Sequence, residues 1–137
     1  MQQNLKRLKV LLVDDNPEFL KTAAAFLSAY AMLEVVGLAQ SGQEAVEIAR
    51  KLNPELVIMD LAMPEMNGLD TTRRIKALPA PPQVVIVTLY DGPEFSSLAH
   101  AAGADDFITK SEFGELLLPA VLKLFPHLQA EPAHECA

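Results

Sequence analysis

A chain of 137 residues fits one domain and leaves little room for a second. Half of the residues are hydrophobic, enough to fill a core, while 11 basic against 18 acidic side chains give a formal net charge of −7, which argues against direct binding to nucleic acid or to an anionic membrane surface. The single cysteine, Cys136, cannot form an internal disulfide, so a reducing, cytoplasmic setting is expected, and the sequence shows neither a signal peptide nor an apolar run near the ~20 residues of a membrane span.

Strand-like and helix-like segments alternate along the chain. Leu8 to Val13 is an aliphatic run ending at Asp14-Asp15, as suits a strand covered on both faces. Asn16-Pro17 opens a helix in which Phe19, Leu20, Ala23, Ala24, Phe26 and Leu27 recur at helical spacing. Leu33 to Ala39 is a second strand. Ser41 with Glu44 forms a capping-box pattern before a helix that Asn53-Pro54 breaks. Leu56 to Met59 is the third aliphatic run and ends at Asp60. A helix over 70–78 follows the loop containing Pro64 and Gly68, and Pro79, Pro81 and Pro82 mark a turn. Val84 to Val87 ends at Thr88. Pro93 opens a helix that Gly103 closes, Asp106 to Thr109 is a short fifth strand ending at Lys110, and Glu112 to Phe125 carries an amphipathic helix with Pro119 as an irregularity. Residues 1–7 read as an extension, 8–125 as the domain, and 126–137 as a loose tail.

Five such alternations imply an α/β fold, a flavodoxin-like (βα)5 doubly wound parallel sheet of order 2-1-3-4-5, covered by helices on both faces. Ligands of such sheets bind outside the carboxyl ends of the strands. Those ends carry Asp14-Asp15, Asp60, Thr88 and Lys110. Three carboxylates repel one another unless a cation joins them, and Mg²⁺, a hard ion with oxygen ligands, suits the cluster. A metal on carboxylates, an ammonium and a hydroxyl together make a site for phosphoryl transfer, where positioning and charge neutralisation do most of the catalysis. Asp60, on the central strand, is the expected acceptor, because aspartate can form an acyl phosphate.

The segments Val13-Asp14-Asp15-Asn16, Asp60-Leu61-Ala62-Met63-Pro64 followed by Gly68, then Thr88, and Gly103-Ala104 followed by Phe107 and Lys110 resemble the receiver domain of two-component response regulators over about residues 8–125. Each motif alone is weak, and their order and placement at strand ends make the set specific. The resemblance implies that Asp60 accepts a phosphoryl group from a sensor histidine kinase or phosphotransfer protein. It implies Mg²⁺ ligation by Asp15 and Asp60, assisted by Asp14, with the backbone carbonyl of Ala62. It implies that Lys110 pairs with Asp60 and then with phosphoryl oxygens. Thr88 and Phe107 would then move together to change the surface of the fourth helix, fifth strand and fifth helix, which would bind a partner or a second copy. The chain is similar to receivers joined to helix-turn-helix output domains. Such a domain would be a signalling switch, with no direct nucleic-acid or membrane contact of its own.

Five positions depart from the common family pattern: Ser111 in place of Pro, Leu89 in place of a small residue, Phe107 in place of Tyr, and the apolar and aromatic Ala62 and Tyr90 where polar residues are frequent. Taken singly, Asp14-Asp15 reads as a helix-opening turn, Asp60 as a strand-ending turn residue, Lys110 as a solvated surface side chain, Thr88 and Phe107 as plain strand residues, and Gly68 and Gly103 as turn and cap glycines. His127, His134 and Cys136 fall in the expected tail and make a poor metal site, while His100 is expected to be structural. Competing functions are a receiver-like module that works without phosphorylation, an Mg²⁺-dependent phosphatase with an Asp nucleophile, and a flavodoxin. The intact Asp14, Asp15, Asp60, Thr88, Lys110 set speaks against the first. The adjacent rather than spaced aspartates speak against the second, and Asp14-Asp15-Asn16-Pro17, which would repel a phosphate, speaks against the third.

Overall fold

The computed structural model describes residues 7–61, 67–89 and 92–130. Strands β1 (Leu8–Val13), β2 (Leu33–Ala39), β3 (Leu56–Met59), β4 (Gln83–Thr88) and β5 (Asp106–Thr109) form one parallel sheet in the order β2-β1-β3-β4-β5. Helices α1 (Pro17–Ser28), α2 (Gly42–Leu52), α3 (Gly68–Lys76), α4 (Pro93–Ala101) and α5 (Phe113–Leu124) connect or follow the strands. The expected flavodoxin-like architecture is the one observed.

Side-chain alternation along the strands makes two cores. On one face Val10, Leu12, Leu56, Ile58, Val85 and Val87 meet Leu20 and Leu27 of α1 and Leu117 and Val121 of α5. On the other, Leu11, Val13, Val57, Met59, Val84 and Ile86 meet Ala45, Val46 and Ala49 of α2, Ile75 of α3 and Ala99 of α4. This explains the unbroken aliphatic stretches Val10–Val13 of β1, Leu56–Met59 of β3 and Val84–Val87 of β4: both faces of each are covered.

The helix starts follow from local chemistry. Asn16 accepts from the N–H groups of Glu18 and Phe19, and Pro17 occupies the first turn, where its missing N–H costs nothing. Ser41 accepts from Glu44 N–H at 3.1 Å, while the Glu44 carboxylate reaches back to Gln40 N–H at 2.9 Å, one residue earlier than the usual box. Helix α3 begins two residues before the sequence expectation and ends at Lys76, because Asn67 caps Asp70 N–H at 2.8 Å. Of the tail expected over 126–137, the described residues Pro126–Ala130 form a short 3-10 helix that buries Leu128 against the α1/α5 core. Among the described residues no helix is long and apolar enough to cross a membrane.

Candidate functional site

The sheet's carboxyl edge carries the site. Asp14 N–H still bonds to Ala39 O at 3.0 Å, and Asp60 N–H to Val13 O at 2.9 Å, so both aspartates are held by the strand ladder itself. Asp14 and Asp60 are buried and Asp15 is exposed. One carboxylate oxygen from each of the three lies within 4.8 Å of the other two. Asp14 Oδ1 accepts from Asn16 N–H at 2.9 Å, an Asx turn that hands the chain from β1 to the cap of α1.

Lys110 follows β5 and reaches across this edge. Its Nζ lies 2.7 Å from Asp14 Oδ2, an ionic contact out of line for a hydrogen bond, and 3.8 Å from Asp60 Oδ2. It also stands 4.4 Å from the centre of the Phe19 ring. The Lys110 side chain is 12% exposed, so these charges meet largely out of water. Thr88, at the end of β4, is fully buried, and by alternation it shares the face of Val84 and Ile86. Phe107 is half-buried against that same core. The structure therefore brings Asp14, Asp15, Asp60 and Lys110 into one cluster and places Thr88 and Phe107 on the α4 side of the sheet.

Three carboxylates against one ammonium leave a formal surplus of two negative charges (3 − 1), the charge of one divalent cation. Oxygens ~2.1 Å from Mg²⁺ stand about 4.2 Å apart when opposite, close to the spread of this cluster. The donor set, all hard oxygens with two of three carboxylates buried, fits Mg²⁺. Ala62, whose backbone carbonyl belongs to the expected ligand set, lies outside the described residues, as do Tyr90, His134 and Cys136.

At Ser111 the described backbone holds a trans Lys110–Ser111 bond, as at every described peptide. A 3-10 turn over Lys110–Glu112 shapes the loop instead, pinned by Thr109 Oγ1, which donates to Glu112 Oε1 at 2.9 Å and lies 3.1 Å from Ser111 Oγ. Leu89, next to Thr88, is 75% exposed.

Two residues gain a part in the site that sequence reasoning did not give them. Phe19 was legible only as an apolar position of α1. Its place in the first turn of a helix that starts at the sheet's carboxyl edge is the signal that could have found it. Gly68, expected to be a turn glycine, lies against the acceptor loop. Its N–H donates to Leu61 O at 2.6 Å, and a Cβ there would stand 2.4 Å from Asp60 O.

The family model described as response regulator receiver domain matches residues 10–121. The chain is 42% identical over 107 residues to a protein-glutamate methylesterase/protein-glutamine glutaminase of Geobacillus kaustophilus, covering 77% of this chain and 31% of that protein. It is 37% identical over 113 residues to a putative transcriptional regulator of Pseudomonas aeruginosa, covering 82% of this chain and 54% of that one. The chain thus spans between a third and a half, roughly, of these curated relatives. Among solved structures, the signal receiver domain of the putative response regulator NarL from Mycobacterium tuberculosis superposes with a TM-score of 0.81 at 27% identity, covering 87% of this chain and 96% of that one. The response regulator domain of Thermotoga maritima CheB gives 0.77 at 30% identity, covering 89% and 96%.

Proposed function

Since the chain belongs to the response-regulator receiver family of two-component systems, we propose that it is a phosphoacceptor switch whose acceptor is Asp60 and whose donor is a phosphohistidine on a sensor histidine kinase or phosphotransfer protein. The observation that carries this reading is the meeting of Asp14, Asp15 and Asp60 within 4.8 Å beside Lys110 Nζ. In the transfer, an Asp60 carboxylate oxygen forms a bond to phosphorus as the bond from phosphorus to the imidazole nitrogen breaks, and the imidazole leaves with that electron pair. Mg²⁺ held by Asp14, Asp15, Asp60 and the Ala62 carbonyl would supply charge neutralisation for the phosphoryl oxygens.

The chain's own residues do the rest. Lys110 shares its charge between Asp14 and Asp60 and is placed to meet phosphoryl oxygens on Asp60 without a large movement. The Thr88 hydroxyl supplies a hydrogen-bond donor from β4, and its move toward the new phosphoryl group opens space on the α4 side, into which the Phe107 ring turns. A charge added at Asp60 thereby biases the α4-β5-α5 face between two states, and that face binds a partner or a second copy. The domain is a switch and not an enzyme in its own right. The output domains implied by the longer relatives, an esterase or a transcriptional regulator, belong to this proposal as two forms its output can take.

The test is intact-mass measurement after incubation with Mg²⁺ and acetyl phosphate. One added phosphoryl group on the wild type and none on Asp60→Asn is expected. No gain from acetyl phosphate or from a phosphorylated kinase, with the protein folded and Mg²⁺ bound, would overturn the reading in favour of a module that works without phosphorylation.

A further inference from the structure

Lys110 is held from two sides by contacts of different kinds. Asp14 Oδ2 lies 2.7 Å from its ammonium, and the face of Phe19 lies 4.4 Å from it. Asp14 alone would draw the ammonium away from Asp60, whose nearest oxygen is 3.8 Å off. A ring face attracts a cation through its quadrupole but forms no directional bond, so it holds the ammonium at the cluster while leaving it free to change carboxylate partners. The ring itself is braced. Phe19 packs edge-on against Phe113 of α5 with centroids 5.4 Å apart, Phe113 stands 5.4 Å from Phe26, and Phe26 stands 5.7 Å from Tyr30. Asn16 fixes the backbone beneath it by accepting from Phe19 N–H. A mobile surface ring could not place a lysine, but a ring locked into the α1/α5 seam can.

We propose that Phe19 is a positioning residue for Lys110, its ring face holding the ammonium between Asp14 and Asp60 so that it is ready for the phosphoryl group. The proposal deepens the function argued above and rests on it. It separates two roles of an apolar residue: packing, which any side chain of similar bulk supplies, and the quadrupole, which only an electron-rich ring supplies.

The experiment reads both. The Lys110 Hε/Cε resonance of the full chain, assigned with Lys110→Arg, is expected upfield of the other lysines because the side chain lies over a ring. The rate of phosphorylation by acetyl phosphate with Mg²⁺ is measured beside it. Phe19→Leu should remove the upfield displacement and slow phosphorylation about tenfold, the scale of a partly desolvated cation–π contact. Phe19→Tyr should restore both. An undisplaced Lys110 signal in the wild type, a wild-type rate in Phe19→Leu, or failure of Phe19→Tyr to restore the rate would overturn the proposal. Should Phe19→Leu not fold, pentafluorophenylalanine at position 19 keeps the ring's shape and inverts its quadrupole. A wild-type rate in that variant overturns the proposal, and a slow one supports it. Should the wild type take no phosphoryl group at all, the function proposed above fails, whereas the Phe19 contact is then decided by the resonance alone.

Discussion

Lys110 leans on Asp14 rather than on Asp60, with its Nζ 2.7 Å from the first and 3.8 Å from the second. Asp14 is the more buried of the two and depends on that ammonium for its counter-charge. Replacing Lys110 by Met keeps the apolar stem and removes the charge, leaving Asp14 and Asp60 facing one another. We expect a loss of about 3 kcal/mol in urea unfolding without divalent cation, the lower end of the range for stripping one partner from a buried pair. Adding Asp14→Asn to Lys110→Met should recover part of that loss, a non-additive result that independent sites would not give. An unchanged urea midpoint in the single variant would show that the pair adds nothing to stability.

The same surplus of negative charge predicts that Mg²⁺ raises the domain's stability. At a free concentration ten times its dissociation constant, a ligand that binds only the folded state adds about 1.4 kcal/mol. For a domain of this size that is a rise of about 4–5 °C in Tm. Asp15→Asn touches the exposed member of the cluster and should abolish the rise while leaving the metal-free Tm unchanged or higher, since it relieves repulsion. Equal Mg²⁺ responses in the two proteins would remove Asp15 from the ligand set.

Gly68→Ala tests how tightly α3 closes on the acceptor. The added Cβ would meet Asp60 O at 2.4 Å and Leu61 Cα at 2.8 Å, both backbone atoms that cannot step aside alone. We expect a cost of about 2–3 kcal/mol, as for overpacking in a core, together with slowed phosphorylation at Asp60. A fully stable variant with an unchanged rate would mean that the loop yields freely.

Asp105 offers a contrast away from the site. Its Oδ2 accepts from Val84 N–H at 2.8 Å and from Lys76 Nζ at 3.0 Å, tying the start of β4 to α3. Asp105→Ala leaves a half-buried N–H without its partner and should cost about 1–2 kcal/mol. Phosphoryl acceptance at Asp60 should be unaffected, because Val84 lies at the opposite end of β4 from Thr88. A large loss of acceptance would reveal coupling along that strand.

How far the sequence could be read depended on the kind of signal each residue carried. The strands were legible because burial on both faces leaves unbroken aliphatic runs such as Leu56 to Met59, and the parallel order followed from strand-helix alternation. Asp14, Asp15 and Asp60 were legible because each ends or follows such a run, and Lys110 because it follows the short fifth strand read at Asp106–Thr109. The Asn67 cap was missed because the Gly68–Leu69 start of α3 carries no apolar period of its own. The buried turn at Leu128 was missed because a single apolar residue after Pro126 shows no periodicity. Phe19 was seen as core, which is half of what it does: its other contact is a lysine 91 positions later (110 − 19), and no local pattern encodes that distance.

The order of the strands in the sheet bears on how the chain leaves the ribosome. β2 and β3 both pair with β1, β4 pairs with β3, and β5 pairs with β4, so each strand after the first finds a neighbour that has already been synthesised. The hydrophobic layers can therefore assemble in the order of translation. The charges cannot: Asp14, Asp15 and Asp60 all emerge well before Lys110, and a nascent domain folded as far as β4 carries its carboxylates without their ammonium. Until β5 docks, a divalent cation from the surrounding solution is the counter-charge at hand, so withholding Mg²⁺ is expected to slow the folding of this domain.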